Sequence, residues 1–213
     1  MYQTFLFDLD GTLTDPGIGI TNAVAYALKK CGIPVPGRSA LYPFIGPPLL
    51  DSFARFYGMN EAESLQAVEF YREYYRSVGI HENVLIPGTK ELLGTLKDQR
   101  KTLILATSKP QEFAEKILDA FDLTQFFDYI AGATFDASRS TKAAVIRYAL
   151  EQAGITDFST TVMVGDREHD VLGARENGLG CIGVLFGYGS REELERAGAR
   201  HLAEKPQDIL TFV

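Results

Sequence analysis

The chain opens with a short apolar run that ends abruptly in two carboxylates. Residues 5–7 read Phe-Leu-Phe, and Asp8, Leu9, Asp10 and Gly11 follow. A short run without polar alternation that ends in turn residues is typical of a buried strand in a parallel sheet. Residues two apart on an extended chain face the same way, so Asp8 and Asp10 are expected together at the carboxyl end of that strand. Open α/β sheets bind their ligands at that end. Because two adjacent carboxylates repel each other unless a cation or a shared proton compensates, the sequence predicts a metal site, a proton-transfer site, or both.

Strand-like and helix-like segments alternate along the rest of the chain from residue 87. The predicted later strands are residues 102–106, 127–131, 161–164, 181–184 and 201–203. Alternation of this kind predicts a Rossmann-like α/β core, in which a mostly parallel sheet is sandwiched by helices. Residues 16–83 carry helical patterns and almost no strand signal. We therefore predict a core of residues 1–15 and 84–213, and an inserted all-helical cap of residues 16–83 that acts as a lid over the first strand end.

Two helices of the insertion have clear sequence signals. Asp15 is the predicted N-cap of the first helix, with Pro16 in its first turn. A second amphipathic helix is predicted over residues 61–78, with Leu65 on its apolar side. Tyrosines in that helix are interpreted as core and rim of the insertion rather than as a base-stacking platform.

The overall charge argues against a nucleic acid or a membrane as partner. The chain has 28 acidic and 21 basic residues, a net charge of −7, and no basic cluster. No apolar run approaches the ~18–20 residues of a membrane span, and no signal peptide is expected. Cys31 and Cys181 have no metal-ligand spacing and are predicted to be free thiols, which indicates a reducing, cytoplasmic compartment.

Polar side chains follow three of the predicted strands. They are Asp8 and Asp10 after the first, Thr107 and Ser108 after the second, and Asp166 and Asp170 after the fourth, with Lys142 at a helix start. Taken singly, such residues are most often helix caps, turn residues or solvated surface. Taken together they are more informative, because a parallel sheet places them all around one crevice.

That crevice suits phosphoryl transfer. Asp8 and Asp166 offer the hard oxygen ligands that Mg²⁺ prefers. Asp8 can act as a nucleophile and form an acyl phosphate. Asp10 can donate a proton to the leaving alcohol and later accept one from water. The Thr107 hydroxyl, Lys142 and backbone N–H groups at the helix start can hold phosphate oxygens.

Four segments resemble the signature motifs of the haloacid dehalogenase superfamily. Residues 8–15, Asp-Leu-Asp-Gly-Thr-Leu-Thr-Asp, are similar to the first motif, and residues 105–110, Leu-Ala-Thr-Ser-Lys-Pro, to the second. Lys142 falls where the third is expected, and residues 164–170, Val-Gly-Asp-Arg-Glu-His-Asp, resemble the fourth. The insertion directly after the first motif resembles the alpha-helical cap of the phosphoglycolate phosphatase-like branch.

This resemblance implies a role for each matching residue. It implies Asp8 as nucleophile, Asp10 as general acid and base, and Thr107 and Lys142 as phosphate binders. It also implies Mg²⁺ held by Asp8, the Asp10 carbonyl and Asp166, with Asp170 in support. The further residues expected to bind substrate are Gly11, Thr12, Ser108, Lys109 and, in a loop at residues 44–48 that resembles a substrate-specificity loop, Gly46.

The third motif departs from the family pattern. Many relatives carry Lys-Pro-x-Pro there, whereas residues 138–143 read Ser-Arg-Ser-Thr-Lys-Ala. Arg139 is therefore a substitute candidate for the role assigned to Lys142. Arg167 and His169, within the fourth motif, are expected in an outward ion pair or in support of the site. Asp10 argues against a dehalogenase, because a leaving halide needs no proton.

The function expected from the sequence is hydrolysis of a small phosphate monoester by a Mg²⁺-dependent phosphatase. Phosphoglycolate, a nucleoside monophosphate and pyrophosphate are the candidate substrates, so the expected partner is a small phosphorylated metabolite. A sugar phosphomutase of the β-phosphoglucomutase type is an alternative with the same motifs. A phospho-accepting signalling domain of the receiver type is an alternative from another class, but such domains are shorter and lack the insertion.

Overall fold

Strand β1 (Thr4–Phe7) forms part of a six-stranded sheet, and all four of its residues are buried. Burial on both faces is expected where helices cover both sides of a parallel sheet. The computed structural model describes residues 1–136 and 138–213. The other strands are β2 (Thr14–Asp15), β3 (Val84–Leu85), β4 (Thr102–Pro110), β5 (Tyr129–Ala133), β6 (Thr161–Gly165), β7 (Gly180–Val184) and β8 (His201–Ala203). The helices are α1 (Gly17–Lys30), α2 (Leu49–Tyr57), α3 (Glu61–Ser77), α4 (Thr89–Asp98), α5 (Gln111–Ala120), α6 (Lys142–Gln152), α7 (Glu168–Glu176) and α8 (Arg191–Ala197).

The chain divides into two compact units at the ends of the predicted insertion. The first unit consists of residues 1–15 and 85–213, and the second of residues 16–84. The boundary after the insertion therefore lies one residue later than the sequence predicts. The strands β2 and β3 pair in a two-stranded sheet of their own, close in sequence to these boundaries.

The order of the large sheet is β5-β4-β1-β6-β7-β8, and each neighbouring pair is parallel. Counted along the chain within this sheet, the order is 3-2-1-4-5-6, so the direction in which strands are added reverses between β1 and β6. Open α/β sheets bind ligands outside the carboxyl ends of the strands at such a reversal. Phe7 lies in register with Leu105 and Val164, so the residues that follow these three positions meet at one edge of the sheet. Strand β4 continues to Pro110, so Thr107 and Ser108 lie within this strand and not after it, where the sequence predicts them.

One face of the sheet packs against the C-terminal helices. Leu6 and Met163 lie in one buried cluster with Val145 and Ile146 of α6 and Val171 of α7. Because successive strand residues alternate between faces, the neighbours of Leu6 in β1 point to the opposite face. The predicted Rossmann-like α/β sandwich is confirmed.

The second unit is built from α1, α2 and α3 with two short 3₁₀ segments, Arg38–Phe44 and Gly79–His81. Helix α3 begins with a capping box between Asn60 and Glu63. The rings of Tyr71 and Tyr75 stack with centroids 5.3 Å apart and are buried, as their interpretation as core residues requires. No helix among the described residues is both long and apolar enough to cross a membrane.

Two local expectations are wrong. Helix α1 begins at Gly17 without a side-chain cap, because the Asp15 carboxylate instead accepts a hydrogen bond from the Tyr188 hydroxyl. Leu65 lies in α3 but is 52% exposed, since the buried side of that helix is formed by Ala67, Val68 and the stacked tyrosines.

Both cysteines are free thiols, as predicted. Cys181 lies buried in β7, and burial raises the pKa of its thiol well above the ordinary value. The thiolate form is therefore disfavoured, and Cys181 behaves as a small core residue.

Truncation of Leu6 tests the packing beneath the strand end. Leu6 is fully buried in the cluster described above, so Leu6→Ala is expected to lower the free energy of unfolding by about 2–5 kcal/mol through lost transfer energy and a residual cavity. Leu65→Ala is the matched control, because an exposed leucine should change stability by only about 0.5 kcal/mol. Urea unfolding followed by circular dichroism measures both, and equal losses would contradict the packing account.

Candidate active site

The turn after β1 is tight and depends on a glycine. The Asp8 amide donates to the Val164 carbonyl at 2.9 Å, which continues the pairing with β6 by one residue. The chain then folds back, with the Gly11 amide donating to the Thr14 carbonyl at 2.7 Å. Gly11 has φ +82°, and a Cβ there would lie 2.2 Å from Asp166 Oδ2. A side chain at position 11 would therefore collide with the fourth-motif carboxylate.

Three buried carboxylates meet at the reversal point of the sheet. Asp8 follows β1, Asp166 follows β6, and Asp170 lies in the first turn of α7. One oxygen of each lies within 4.8 Å of the others. Asp166 is fully buried, and Asp8 and Asp170 are 4% and 1% exposed. So much negative charge in so little space requires nearby positive charge.

Lys142 provides part of that positive charge. It occupies the first position of α6, where the Thr141 hydroxyl caps the helix by accepting from the Ala144 amide. Its Nζ lies 2.7 Å from Asp8 Oδ1 and 2.8 Å from Asp170 Oδ1, and donates to the Ala106 carbonyl at 3.1 Å. The two carboxylate contacts are close ion pairs that do not meet hydrogen-bond geometry. Lys142 thus links the start of α6 to strand β4, to the residue that follows β1 and to the first turn of α7.

The pKa values of these groups show how uneven the charge balance is. Burial would lower the pKa of Lys142, but attraction to Asp170 and Asp8 outweighs it and holds that pKa above its ordinary value. Burial raises the pKa of Asp170 to about 6, despite the attraction of Lys142. Burial, together with repulsion from Asp170 and Asp8, raises the pKa of Asp166 well above its ordinary value. One ammonium group does not neutralise three carboxylates.

Asp166 is held so that one of its oxygens stays available. Its Oδ2 accepts a hydrogen bond from the Tyr188 amide at 2.7 Å. Its Oδ1 is buried and has no hydrogen-bond partner among the described residues. Asp170 is oriented similarly, because its Oδ2 accepts from the Arg167 amide at 3.0 Å.

This donor set fits a hard divalent cation. Such a cation prefers carboxylate oxygens, and the cluster offers one from each of three residues. The Oδ1 of Asp166 is also buried without a hydrogen-bond partner among the described residues. A bound cation would also favour the ionised forms of Asp166 and Asp170, whose pKa values are raised by burial and by the neighbouring carboxylates. Asp8, Asp166 and Asp170 are therefore the side chains that could hold the metal, whereas the Asp10 side chain lies outside this group.

Asp10 pairs with a different lysine. Lys109, at the end of β4, forms a buried ion pair with Asp10 Oδ2. Burial raises the pKa of Asp10, more than the Lys109 ammonium lowers it. The Lys109 amide also donates to Thr107 Oγ1 at 3.2 Å. Asp10 is consequently a buried carboxyl with a raised pKa, which is the state that proton transfer near neutral pH requires.

The other predicted residues divide between the two units. Gly11 lies against Asp166, as described above. Thr12 is buried, and its hydroxyl has no hydrogen-bond partner among the described residues. Ser108 is half-buried beside Thr107 in β4. Gly46 lies in the second unit, between the Arg38–Phe44 segment and α2, with φ +105°.

Arg139 and Arg167 are engaged elsewhere than with the carboxylates. The Arg139 Nε donates to the Gly132 carbonyl at 2.8 Å, and its guanidinium lies over the Tyr148 ring at 3.7 Å from the centroid. Lys142 and not Arg139 therefore contacts the carboxylate cluster. Arg167 forms an ion pair with Glu193 at 2.8 Å, and the side chains of both residues are largely buried.

Sequence reasoning missed two residues that hold the site in place. Tyr188 contacts Asp166 through its amide, and Glu193 accepts from both Arg167 Nε and the Glu168 amide. The signal for Tyr188 was the pair of glycines at 187 and 189, which matches no nucleotide-binding pattern. The spacing of Ser190 and Glu193 in the sequence is typical of a capping box. The Ser190 hydroxyl does accept from the Glu193 amide, but the Glu193 carboxylate binds Arg167 and the Glu168 amide at the start of α7.

Comparison with known proteins places these features in a family. The model of the family described as haloacid dehalogenase-like hydrolase matches residues 5–184. A 5'-nucleotidase of Pseudomonas aeruginosa is 45% identical over 200 residues, which are 94% of this chain and 90% of the relative. A tyrosine-protein kinase PtkA of Mycobacterium tuberculosis is 38% identical over 194 residues, which are 91% of this chain and 66% of the relative.

Two further comparisons concern the branch and the fold. A phosphoglycolate phosphatase of Pseudomonas syringae is 30% identical over 87% of this chain and 70% of the relative. The crystal structure of a protein described as a predicted phosphatase from Clostridium acetobutylicum superposes with a TM-score of 0.95. That protein is 44% identical, and the match covers 99% of each chain.

Replacement of Lys142 tests the charge balance of the cluster. Lys142→Met leaves Asp8 and Asp170 without their buried counter-charge, and is expected to lower the free energy of unfolding by about 3–5 kcal/mol in cation-free buffer. Lys97→Met is the matched control, because Lys97 pairs with Asp128 at the same 2.8 Å but both are partly exposed. The control should lose about 1 kcal/mol or less. Chemical denaturation measures both, and similar losses would contradict the account.

The raised pKa of Asp170 predicts how stability depends on pH. Its pKa is about 6 in the folded protein against an ordinary 3.8, so between these values the folded state keeps a proton that the unfolded state loses. Stability should therefore fall as pH rises from about 4 to above 6, by up to about 3 kcal/mol from this group.

Asp170→Asn isolates that contribution. In chelator-treated samples, urea unfolding at several pH values between 4.5 and 7.5 should give a shallower fall for the variant than for the wild type. Parallel curves would mean that Asp170 does not titrate in this range. Added Mg²⁺ should flatten the wild-type curve, because a bound cation favours the ionised carboxylate.

Proposed function

The chain belongs to the haloacid dehalogenase-like hydrolases and is a phosphatase, and on that premise we propose that it hydrolyses small phosphate monoesters through an aspartyl phosphate on Asp8. The observation that carries this proposal is the position of Asp8. Its carboxylate lies at the reversal point of the sheet, beside Lys142 and within the group that includes Asp166 and Asp170. A carboxylate there can reach a phosphate only if positive charge offsets the repulsion between the two anions.

In the first step an Asp8 oxygen attacks the phosphorus, and the bond to the leaving alcohol oxygen breaks. Asp10 gives its proton to that oxygen, for which its raised pKa is suited. In the second step water attacks the phosphorus of the aspartyl phosphate, and the Asp10 carboxylate takes the proton from the water. Asp8 is then released as carboxylate and the phosphate departs.

Lys109 keeps Asp10 in place during these proton transfers. Its ion pair with Asp10 Oδ2 is buried, so the carboxyl has a fixed orientation while its Oδ1 has no hydrogen-bond partner among the described residues. We assign Oδ1 as the oxygen that exchanges the proton. The ion pair with Asp10 thus gives Lys109 a positioning role in addition to its expected role in binding substrate.

The phosphate oxygens are held by groups around Asp8. Lys142 lies beside the nucleophile and carries a proton throughout the neutral range, because its pKa is raised. The Thr107 hydroxyl accepts from the Lys109 amide, which leaves its own proton to donate to a phosphate oxygen. These donors stabilise the charge that spreads over the phosphoryl group in the transition state.

We propose Mg²⁺ as the cofactor, because it prefers carboxylate oxygens such as those of this cluster. Asp8 and Asp166 would hold it, with the Asp10 carbonyl as a further oxygen and Asp170 in support, and when bound it would neutralise charge on the phosphoryl oxygens. The free thiols favour a reducing compartment, so we place the reaction in the cytoplasm.

A nucleoside 5'-monophosphate is the first substrate to test. The 5'-nucleotidase of Pseudomonas aeruginosa covers nearly the whole chain at 45% identity, whereas the phosphoglycolate phosphatase is 30% identical. Phosphoglycolate and pyrophosphate remain candidates. We infer that residues 16–84 select among them as a cap, with the loop around Gly46 as the specificity loop.

Two alternatives differ in what receives the phosphoryl group. A phosphomutase passes it to a second sugar phosphate, and the relative named as a tyrosine-protein kinase raises transfer to a protein tyrosine. A receiver-type signalling domain does not fit a chain that matches the hydrolase family over residues 5–184.

A substrate panel with Mg²⁺ separates these possibilities. It contains nucleoside monophosphates, phosphoglycolate, sugar phosphates and pyrophosphate, and phosphate release is measured for each. Release from a nucleoside monophosphate with the highest kcat/KM supports the proposal. Formation of an isomerised sugar phosphate without phosphate release would instead indicate a phosphomutase. Transfer of labelled phosphate from ATP to a protein tyrosine would indicate a kinase.

Two substitutions test the roles of the paired aspartates. Asp8→Asn should abolish phosphate release, because the amide cannot form the acyl phosphate. Asp10→Asn should lower kcat by about 10²–10⁴-fold through loss of the acid and base. Asp98→Asn, on an exposed residue at the end of α4, is the control and should leave kcat unchanged. Turnover by Asp8→Asn at the wild-type rate would rule out Asp8 as the nucleophile.

A further inference from the structure

The loop after β7 lies unusually close to Asp166. Residues 186–189, Phe-Gly-Tyr-Gly, form this strap. A Cβ at Gly187 would lie 2.3 Å from the Asp166 Cβ, and one at Gly189 would lie 1.9 Å from the Asp166 carbonyl oxygen. Any larger residue at either position would force the strap away from Asp166. The two glycines therefore permit a contact that the hydrolytic chemistry assigned above does not itself require.

Tyr188, between these glycines, makes two hydrogen bonds in different directions. Its amide donates to Asp166 Oδ2 at 2.7 Å, and its hydroxyl donates to the Asp15 carboxylate. Asp15 is the last residue of the first unit before the chain enters the second, and it ends β2. One residue thus connects the carboxylate at the cation site to the segment by which the chain leaves the core.

We propose that Tyr188 is a positioning residue that couples cation binding at Asp166 to the order of the Asp15 segment. With the strap in place, the Tyr188 amide binds Asp166 Oδ2, while Oδ1 has no hydrogen-bond partner among the described residues and is available to a cation. The same position of the strap brings the hydroxyl to Asp15. The proposal rests on the proposed function only in taking Asp8 and Asp166 as cation ligands.

The coupling must act in both directions. If cation binding favours the strap position that orients Asp166, it also favours the Tyr188–Asp15 bond, and that bond in turn favours cation binding by the same factor. Loss of the Tyr188 hydroxyl should therefore weaken cation binding. It should also make the order of the Asp15 segment independent of whether the cation is bound. If the hydrogen bond only anchors the loop, its loss would change neither the cation affinity nor the effect of the cation on the Asp15 segment.

Tyr188→Phe tests this directly, since it keeps the ring and the backbone amide and removes only the hydroxyl. Mg²⁺ affinity is measured by isothermal titration calorimetry without substrate, and amide exchange of residues 12–17 is measured by mass spectrometry with and without Mg²⁺. In the wild type Mg²⁺ should slow this exchange. In Tyr188→Phe the Mg²⁺ affinity should fall about three- to tenfold, because only part of the free energy of this hydrogen bond is coupled to the cation. Saturating Mg²⁺ should also no longer slow the exchange.

Two other variants complete the test. Tyr129 lies on the edge strand β5, and its hydroxyl donates to the Tyr148 hydroxyl. Tyr129→Phe removes that hydroxyl and should retain both the wild-type Mg²⁺ affinity and the slowing of exchange by Mg²⁺. Asp15→Ala removes the acceptor, and should weaken Mg²⁺ binding to the same extent as Tyr188→Phe without adding to it in the double variant. This variant also decides the question if Tyr188→Phe does not fold.

The outcomes separate this inference from the proposed function. Wild-type Mg²⁺ affinity in Tyr188→Phe, or persistent slowing of exchange in that variant, overturns the coupling while leaving the phosphatase intact. Additive losses in the double variant overturn it as well. Absence of Mg²⁺ binding to the wild-type protein would overturn the cation site and the coupling together.

Discussion

Repulsion among buried carboxylates is the constraint on which the rest of this structure depends. Asp8, Asp166 and Asp170 lie within a few ångströms of each other with Lys142 as their shared counter-charge. Such a cluster opposes folding, as the raised pKa values of Asp166 and Asp170 indicate. It persists because the surrounding parallel strands and their helices are closely packed and hold the carboxylates together.

The two aspartates of the first motif have separate charge partners. Asp8 pairs with Lys142 from α6, whereas Asp10 pairs with Lys109 from β4. Residues two apart in sequence therefore belong to different electrostatic environments. This separation suits the two different tasks proposed for these residues, one at the phosphorus and one at the leaving oxygen.

Most of the fold was predictable because it depends on local patterns. Short apolar runs alternating with amphipathic segments predict the parallel sheet, and the polar residues after three strands predict the location of the site. The third-motif position was ambiguous in sequence between Lys142 and Arg139. The structure resolves it geometrically, since Arg139 packs on Tyr148 while Lys142 reaches the carboxylates.

The contacts that could not be predicted all join residues far apart in the chain. Asp15 stands at a position in the sequence that is typical of a helix N-cap, yet its carboxylate accepts a hydrogen bond from the hydroxyl of Tyr188, 173 residues later. Glu193 stands at a position in the sequence that is typical of a capping box, yet its carboxylate accepts a hydrogen bond from the Glu168 amide at the start of α7. Local propensity describes only what a residue can do with its neighbours, and a more favourable distant partner overrides it.

The sequence by itself determined the chemistry that this protein can carry out. The residue types and their spacing after the strands specify a carboxylate pair, two lysines and a hydroxyl on one edge of a parallel sheet. Only the tertiary structure decided which lysine neutralises which carboxylate, and that the glycine-flanked Tyr188 lies against Asp166. The physical reason is that electrostatic energy depends on distances of a few ångströms between segments, and those distances exist only once the strands have paired.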